Sequence, residues 1–179
     1  MKIVSKLLYF IVCFVLFIEI TIYFLPKREL WYLAQKELSK NLITVNSSKF
    51  QESGFYIDIK DSTINYDKLD IATVKDCKIE SYLFYNEIVL KGIRFADIAS
   101  NISPRNIKSL KIKWSVFDGY KIKIIGDGEM GHIDGYVDIL KQKATIYLKA
   151  SKLMKRRYRK TLRGLKKEKR GYKYVQSFK

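Results

Sequence analysis

From Leu7 to Leu25 the chain reads nineteen residues with one charge, Glu19, and no polar face. A helix of that length rises roughly 28 Å, close to the hydrocarbon thickness of a bilayer. Tyr23, Phe24, Leu25 and Pro26 offer no small-x-small cleavage site, so the run predicts an uncleaved transmembrane anchor over 7–25 behind a short tail, 1–6. Glu19 stands within two turns of the end, where it marks a helix partner in the membrane or reaches toward the interface. After Pro26 the period becomes three and four: Leu30, Leu33, Ala34, Leu38 and Leu42 predict a short amphipathic helix inside a linker spanning 26–53.

From Gly54 the period changes to two. Phe55, Ile57 and Ile59 alternate with polar neighbours, as do Cys77, Ile79, Ser81 and Leu83, and then Ile88 and Leu90. Residues 95–102 read as a loop or short helix. Between Lys108 and Ala150 the alternation is strongest, broken at Asp118-Gly119, at Gly126-Asp127-Gly128 and at Lys141-Gln142-Lys143, which predicts a four-strand antiparallel meander. Ser151 can cap a basic amphipathic helix carrying Met154, Tyr158, Leu162 and Leu165, closed by Gly171, and Tyr172 to Phe178 alternates again. The fold expected is therefore mainly β: an N-terminal transmembrane helix, then one curved antiparallel sheet over 54–179 with a basic helix near the C-terminus. Ile112, Trp114, Ile122, Ile124, Ile146 and Leu148 form the apolar face of the meander, expected to meet lipid or a partner, although pattern alone does not separate it from an ordinary core.

Charge sharpens this picture in one place. Of the net +17, residues 152–179 hold 13 Lys and Arg against the single Glu168, a local +12, leaving +5 for the other 151 residues. Lys155, Arg156, Arg157, Arg159, Lys160, Arg163, Lys166 and Lys167 read either as an anionic-surface binding segment or as a solvated helix face. Around the anchor, Lys2, Lys6 and the free amine face Lys27, Arg28 and Glu29, so charge barely chooses a topology. A signal-anchor with the tail in the cytoplasm is the simplest arrangement.

Catalytic chemistry finds little support. One histidine, His132, and one cysteine outside the anchor, Cys77, give no metal cluster and no Ser, His, Asp assembly, so neither enzyme activity, metal nor cofactor is expected. Asp127, Glu129, Asp134 and Asp138 read as solvated turn carboxylates rather than a calcium loop. The Gly126–Gly131 pattern joins strand to strand and lacks the helix N-terminus that a phosphate loop needs.

Several segments carry a resemblance. The anchor ending Leu25-Pro26 and the strand pair Tyr82-Leu83-Phe84-Tyr85-Asn86-Glu87-Ile88 belong to it. So do the glycine-marked hairpins Ile124 to Gly128 and Gly131 to Gly135, and the closing portion Ser151 to Leu165 with Gly171-Tyr172-Lys173-Tyr174. In this order they resemble the AsmA-like bacterial envelope proteins, especially short members of the type II secretion system protein N kind. The resemblance implies an inner-membrane-anchored sheet in the periplasm, single-pass, with an open apolar groove used in lipid passage or envelope assembly. Its implied partners are the inner membrane, lipid or lipopolysaccharide, and other envelope or secretion proteins. The basic segment and the shortness depart from that pattern: seven or eight strands at about 4.8 Å reach only some 35 Å. Two other readings stay open: a lipopolysaccharide-export subunit of the single-anchor jellyroll type, and a cytoplasm-facing basic protein on nucleic acid or an anionic membrane. An exported body disfavours nucleic acid.

Overall fold

The computed structural model describes residues 2–97 and 103–178, so part of the expected loop or short helix over 95–102 lies outside the described residues. Helix α1, Lys2–Phe24, contains a stretch, Ile3–Phe24, that is long and apolar enough to cross a membrane and is not buried against the rest of the chain. Helix α2, Lys27–Lys40, follows directly. The elbow between them is held by Lys27, whose buried ammonium donates to the carbonyls of Ile22, Tyr23 and Leu25 at 3.1–3.2 Å. Ile22 also accepts from the Leu25 amide at 3.3 Å, and at a helix end, where carbonyls run short of intrahelical donors, the dipole favours a cation. Gln35 of α2 donates to the Val45 carbonyl at 2.8 Å, and α2 covers the free edge of the first strand.

The strands described after α2 form one ten-stranded antiparallel sheet. Its strands are β1 (Ile43–Ser53), β2 (Tyr56–Tyr66), β3 (Leu69–Ser81), β4 (Tyr85–Phe95), β5 (Asn106–Ser115), β6 (Lys121–Gly128), β7 (Gly131–Asp138), β8 (Lys143–Ala150), β9 (Lys166–Glu168) and β10 (Gly171–Ser177). They run in chain order as far as β8, after which β10 pairs with β8 and β9 takes the outer edge. The expected meander is β5 to β8. Three expectations change. The sheet starts at Ile43, inside the segment read as linker, because Thr44, Asn46 and Ser48 conceal a strand whose apolar partner is β2. Strand count rises accordingly to ten, from the seven or eight expected. The single long basic helix becomes two short ones, α3 (Lys152–Arg157) and α4 (Arg159–Arg163), broken at Tyr158 with φ −113° and ψ 38°.

Cross-strand partners share a face of a sheet, so the pairing can be followed from strand to strand. Ile57, Ile79, Ile88, Ile112, Ile124, Gly135 and Ile146 form one continuous row. Next to it runs a second row: Phe50, Ile59, Cys77, Leu90, Leu110, Gly126, Ile133, Leu148 and Tyr172. The opposite face interleaves charges. Glu87 lies between Lys111 and Lys113 at 3.5 and 3.7 Å, and Lys78 meets Glu80 at 2.6 Å. Such one-sidedness is what an antiparallel sheet permits, one face in contact with apolar material and one in water.

The pairing also skips one residue per strand along a line crossing β1 to β5, at Ser48, Asp61, Lys75, Gly92 and Lys108. Asp61 and Gly92 have φ of 49° and 63° there. The inward parity flips across this line, so that Ile57 and Ile59 are buried on one side and Ser62 on the other.

Candidate functional site

All six predicted apolar residues lie on one face. Ile112 pairs with Ile124, Trp114 with Ile122, and Gly135 links Ile124 to Ile146, while Leu148 sits in the neighbouring row. Strand alternation places them there, and small residues keep the surface low between them. A Cβ on Gly135 would press on the Thr145 carbonyl at 2.7 Å.

The face is not uniform along its length. At the end away from α1, Leu148 packs with Met154, Tyr158 and Leu162, and all four are buried, with Ile133, Met130 and Tyr172 around them. Helices α3 and α4 thus sit on that end of the face. Their start is fixed by Ser151, whose hydroxyl accepts from the Met154 amide at 3.1 Å and donates to the Glu129 carbonyl at 2.6 Å. A second buried cluster, Val74, Ile93 and Ile107, closes the same end under β3 to β5. Toward α1, Ile112, Trp114, Ile122, Ile124 and Ile146 are only half-buried, and no element packs over them among the described residues. Leu148 therefore leaves the candidate face and joins the core, a distinction alternation could not make. The remaining five form an open apolar surface bounded on one side by a packed plug.

The basic residues are brought together only in part. Lys155, Arg156, Arg157, Arg159, Lys160 and Arg163 are exposed on α3 and α4, whereas Lys166 and Lys167 belong to β9, because the chain leaves the helix at Gly164. Lys155, Arg159, Arg163 and Lys167 border one shallow depression of about 350 Å³ floored by Leu162, Leu165 and Tyr172. The segment lies roughly 20 Å along the sheet from the turn at Lys141-Gln142, six strand residues from Leu148.

On the charged face, burial alone would raise the Glu87 carboxyl. The Tyr85 hydroxyl, which donates to it, and the ammonium groups of Lys113 and Lys111 outweigh that effect and hold it below its ordinary value. Burial, followed by this hydrogen bond, pushes the Tyr85 phenol up to about 12. On the apolar face burial, then nearby Asp58, pushes the Cys77 thiol up to about 11. His132 donates through Nδ1 to the Asp127 carboxylate at 2.7 Å beside an open depression of about 910 Å³ that Arg94, Lys108 and Glu129 also border. Glu129 meets Asn106, and Asp138 accepts from the Lys141 amide, so the turn carboxylates have separate partners. No group of three or more metal-ligating side chains converges among the described residues.

Comparison with known proteins adds no neighbour: no family model, curated protein or solved structure matches this chain.

Proposed function

We propose that this chain is a non-enzymatic, membrane-anchored component of a bacterial envelope that receives acyl chains on the open part of its apolar sheet face. α1 holds it to the inner membrane and the sheet lies in the periplasm. One observation carries the reading. Five large apolar side chains, Ile112, Trp114, Ile122, Ile124 and Ile146, share a half-covered surface on one face, while the opposite face is charged. Contiguous apolar surface left uncovered on a folded chain marks a binding site for apolar material. The resemblance to AsmA-like proteins supports both the compartment and the lipid class, and a role as accessory to secretion rests on that resemblance alone.

The test is retention of lipid. Full-length chain purified in mild detergent is expected to carry phospholipid or lipopolysaccharide, read by native mass spectrometry. Ile124→Asp combined with Ile146→Asp is expected to lose it while Lys123→Asp, on the opposite face, keeps it. Equal retention by both variants counts against the proposal, as does a lipid-free wild type.

A further inference from the structure

Because neighbouring strands are antiparallel, alternate turns fall at the same end of the sheet. The turns β1–β2, β3–β4, β5–β6 and β7–β8 all lie at the end where α1 arrives. Their tips carry Phe55, Phe84, Phe117, Tyr120 and Leu140, and Phe178 joins them by donating its amide to Gln142. Phe117 is 85% exposed, Leu140 71% and Tyr120 61%. A soluble hairpin gains nothing from such residues at its turns, where Gly, Asn, Asp and Pro serve the backbone better. The opposite end is built differently: its turns present Asp67, Lys68, Arg105, Glu129 and Arg170, and among the described residues large apolar exposure there falls in one corner, Leu42, Tyr66, Leu69 and Ile71.

The apolar tips are attached to α1 itself. Tyr23 meets Phe55 edge-on at 5.3 Å between ring centroids, and Phe55 stacks on Tyr82 at 4.9 Å. Glu19, the one charge of the apolar run, accepts from the Leu83 amide at 3.2 Å. That contact sets the depth: Glu19 lies five residues before Phe24, so the β3–β4 tip reaches about 7.5 Å below the end of the apolar helix. Amphipathic elements lying in a lipid interface are buried by about 5–10 Å. Exposed Lys121 and Lys141 stand beside the tips, where long cationic side chains can reach headgroup phosphates. From β2 to β8 the row spans roughly 29 Å.

We propose that the turn tips at the α1 end form a second membrane contact that dips into the lipid interface where α1 ends. The open part of the apolar face then begins at the bilayer surface, and an acyl chain can move onto it without crossing water. The contact rests on α1 as the anchor in the proposed function and does not depend on the lipid cargo.

Full-length protein in vesicles of phosphatidylethanolamine and phosphatidylglycerol tests this. Single labelling sites are made by Phe117→Cys, Leu140→Cys, Asp67→Cys and Glu129→Cys in a Cys13→Ala, Cys77→Ser background, and Cys77→Ser alone serves for the label on Cys13, because Cys77 is only half-buried. The environment-sensitive fluorophore is then quenched by lipids carrying a nitroxide near the headgroup. At 117 and 140 the emission should fall by at least about twofold, with little change at 67 and 129. Label on native Cys13 should be quenched by nitroxides deeper in the acyl chain. Quenching at Cys13 without quenching at 117 and 140, or equal quenching at both ends of the sheet, overturns the second contact and leaves the anchor standing. Loss of quenching at Cys13 overturns the anchor and the contact together.

Discussion

The two halves of the apolar face are made of the same residue types and end in different states. Away from α1, Val74, Ile93 and Ile107 bury one another, and Leu148 is sealed by α3 and α4. Toward α1, Ile112, Ile122, Ile124 and Ile146 lie on the same face and stay half-buried. Hydrophobicity alone does not distinguish a core from a binding surface. Whether a later segment of chain returns to cover it does. Here the returning segment is short, it reaches only Leu148 and its neighbours, and the surface left open faces the α1 end.

The sharpest way to break that contrast is truncation at matched sites. Ile59→Ala, at a fully enclosed position, and Leu162→Ala, at the centre of the plug, are each expected to cost about 3 kcal/mol in denaturant unfolding. Ile124→Ala and Ile146→Ala should cost about 1 kcal/mol or less, because the water they already meet fills the space; equal losses at the four sites would erase the distinction. Next in size, Gly131→Ala should cost about 2 kcal/mol, since φ is 119° and a Cβ would collide with the Lys149 carbonyl under the plug. On the charged face, Glu87→Gln should cost about 1 kcal/mol at neutral pH. Its carboxyl is held below the ordinary value, so the stabilisation is full above the unfolded pKa of about 4.3 and is lost as pH falls through the folded value. The difference between wild type and Glu87→Gln should therefore shrink on acidification, and a difference that grows would contradict the pairing. Smallest of all, Arg156→Glu with Lys160→Glu should change stability by less than about 0.5 kcal/mol, because both side chains are exposed.

Much of this was legible in the chain because periodicity reports which side of an element meets apolar material. Leu7 to Leu25 gave the apolar helix, and the alternation from Lys108 to Ala150 gave four strands, their turns and the shared face of Ile112, Trp114, Ile122, Ile124 and Ile146. β1 was hidden because an edge strand under α2 needs few apolar residues, and Thr44, Asn46, Ser47 and Ser48 read as linker. The parity flip at Asp61 and Gly92 was hidden because a skipped pair leaves both sequences locally alternating on each side. The basic segment looked like one helix since Tyr158 and Leu162 keep helical spacing across the break, and only the return into β9 places Lys166 and Lys167 on a strand. Leu148 could not be told from Ile146, because coverage by α3 and α4 is a tertiary fact. The exposed tips had a visible signal that periodicity overlooks: Phe84, Phe117 and Leu140 occupy turns, where large apolar residues serve no backbone purpose.

The most direct test of the open face is photocrosslinking in intact cells from a benzophenone residue placed, in turn, at Ile124, Ile146, Lys123 and Thr145. The account predicts lipid adducts at 124 and 146 and none at 123 and 145, which lie on the other face. Adducts at all four positions, or protein adducts alone at 124 and 146, would contradict it.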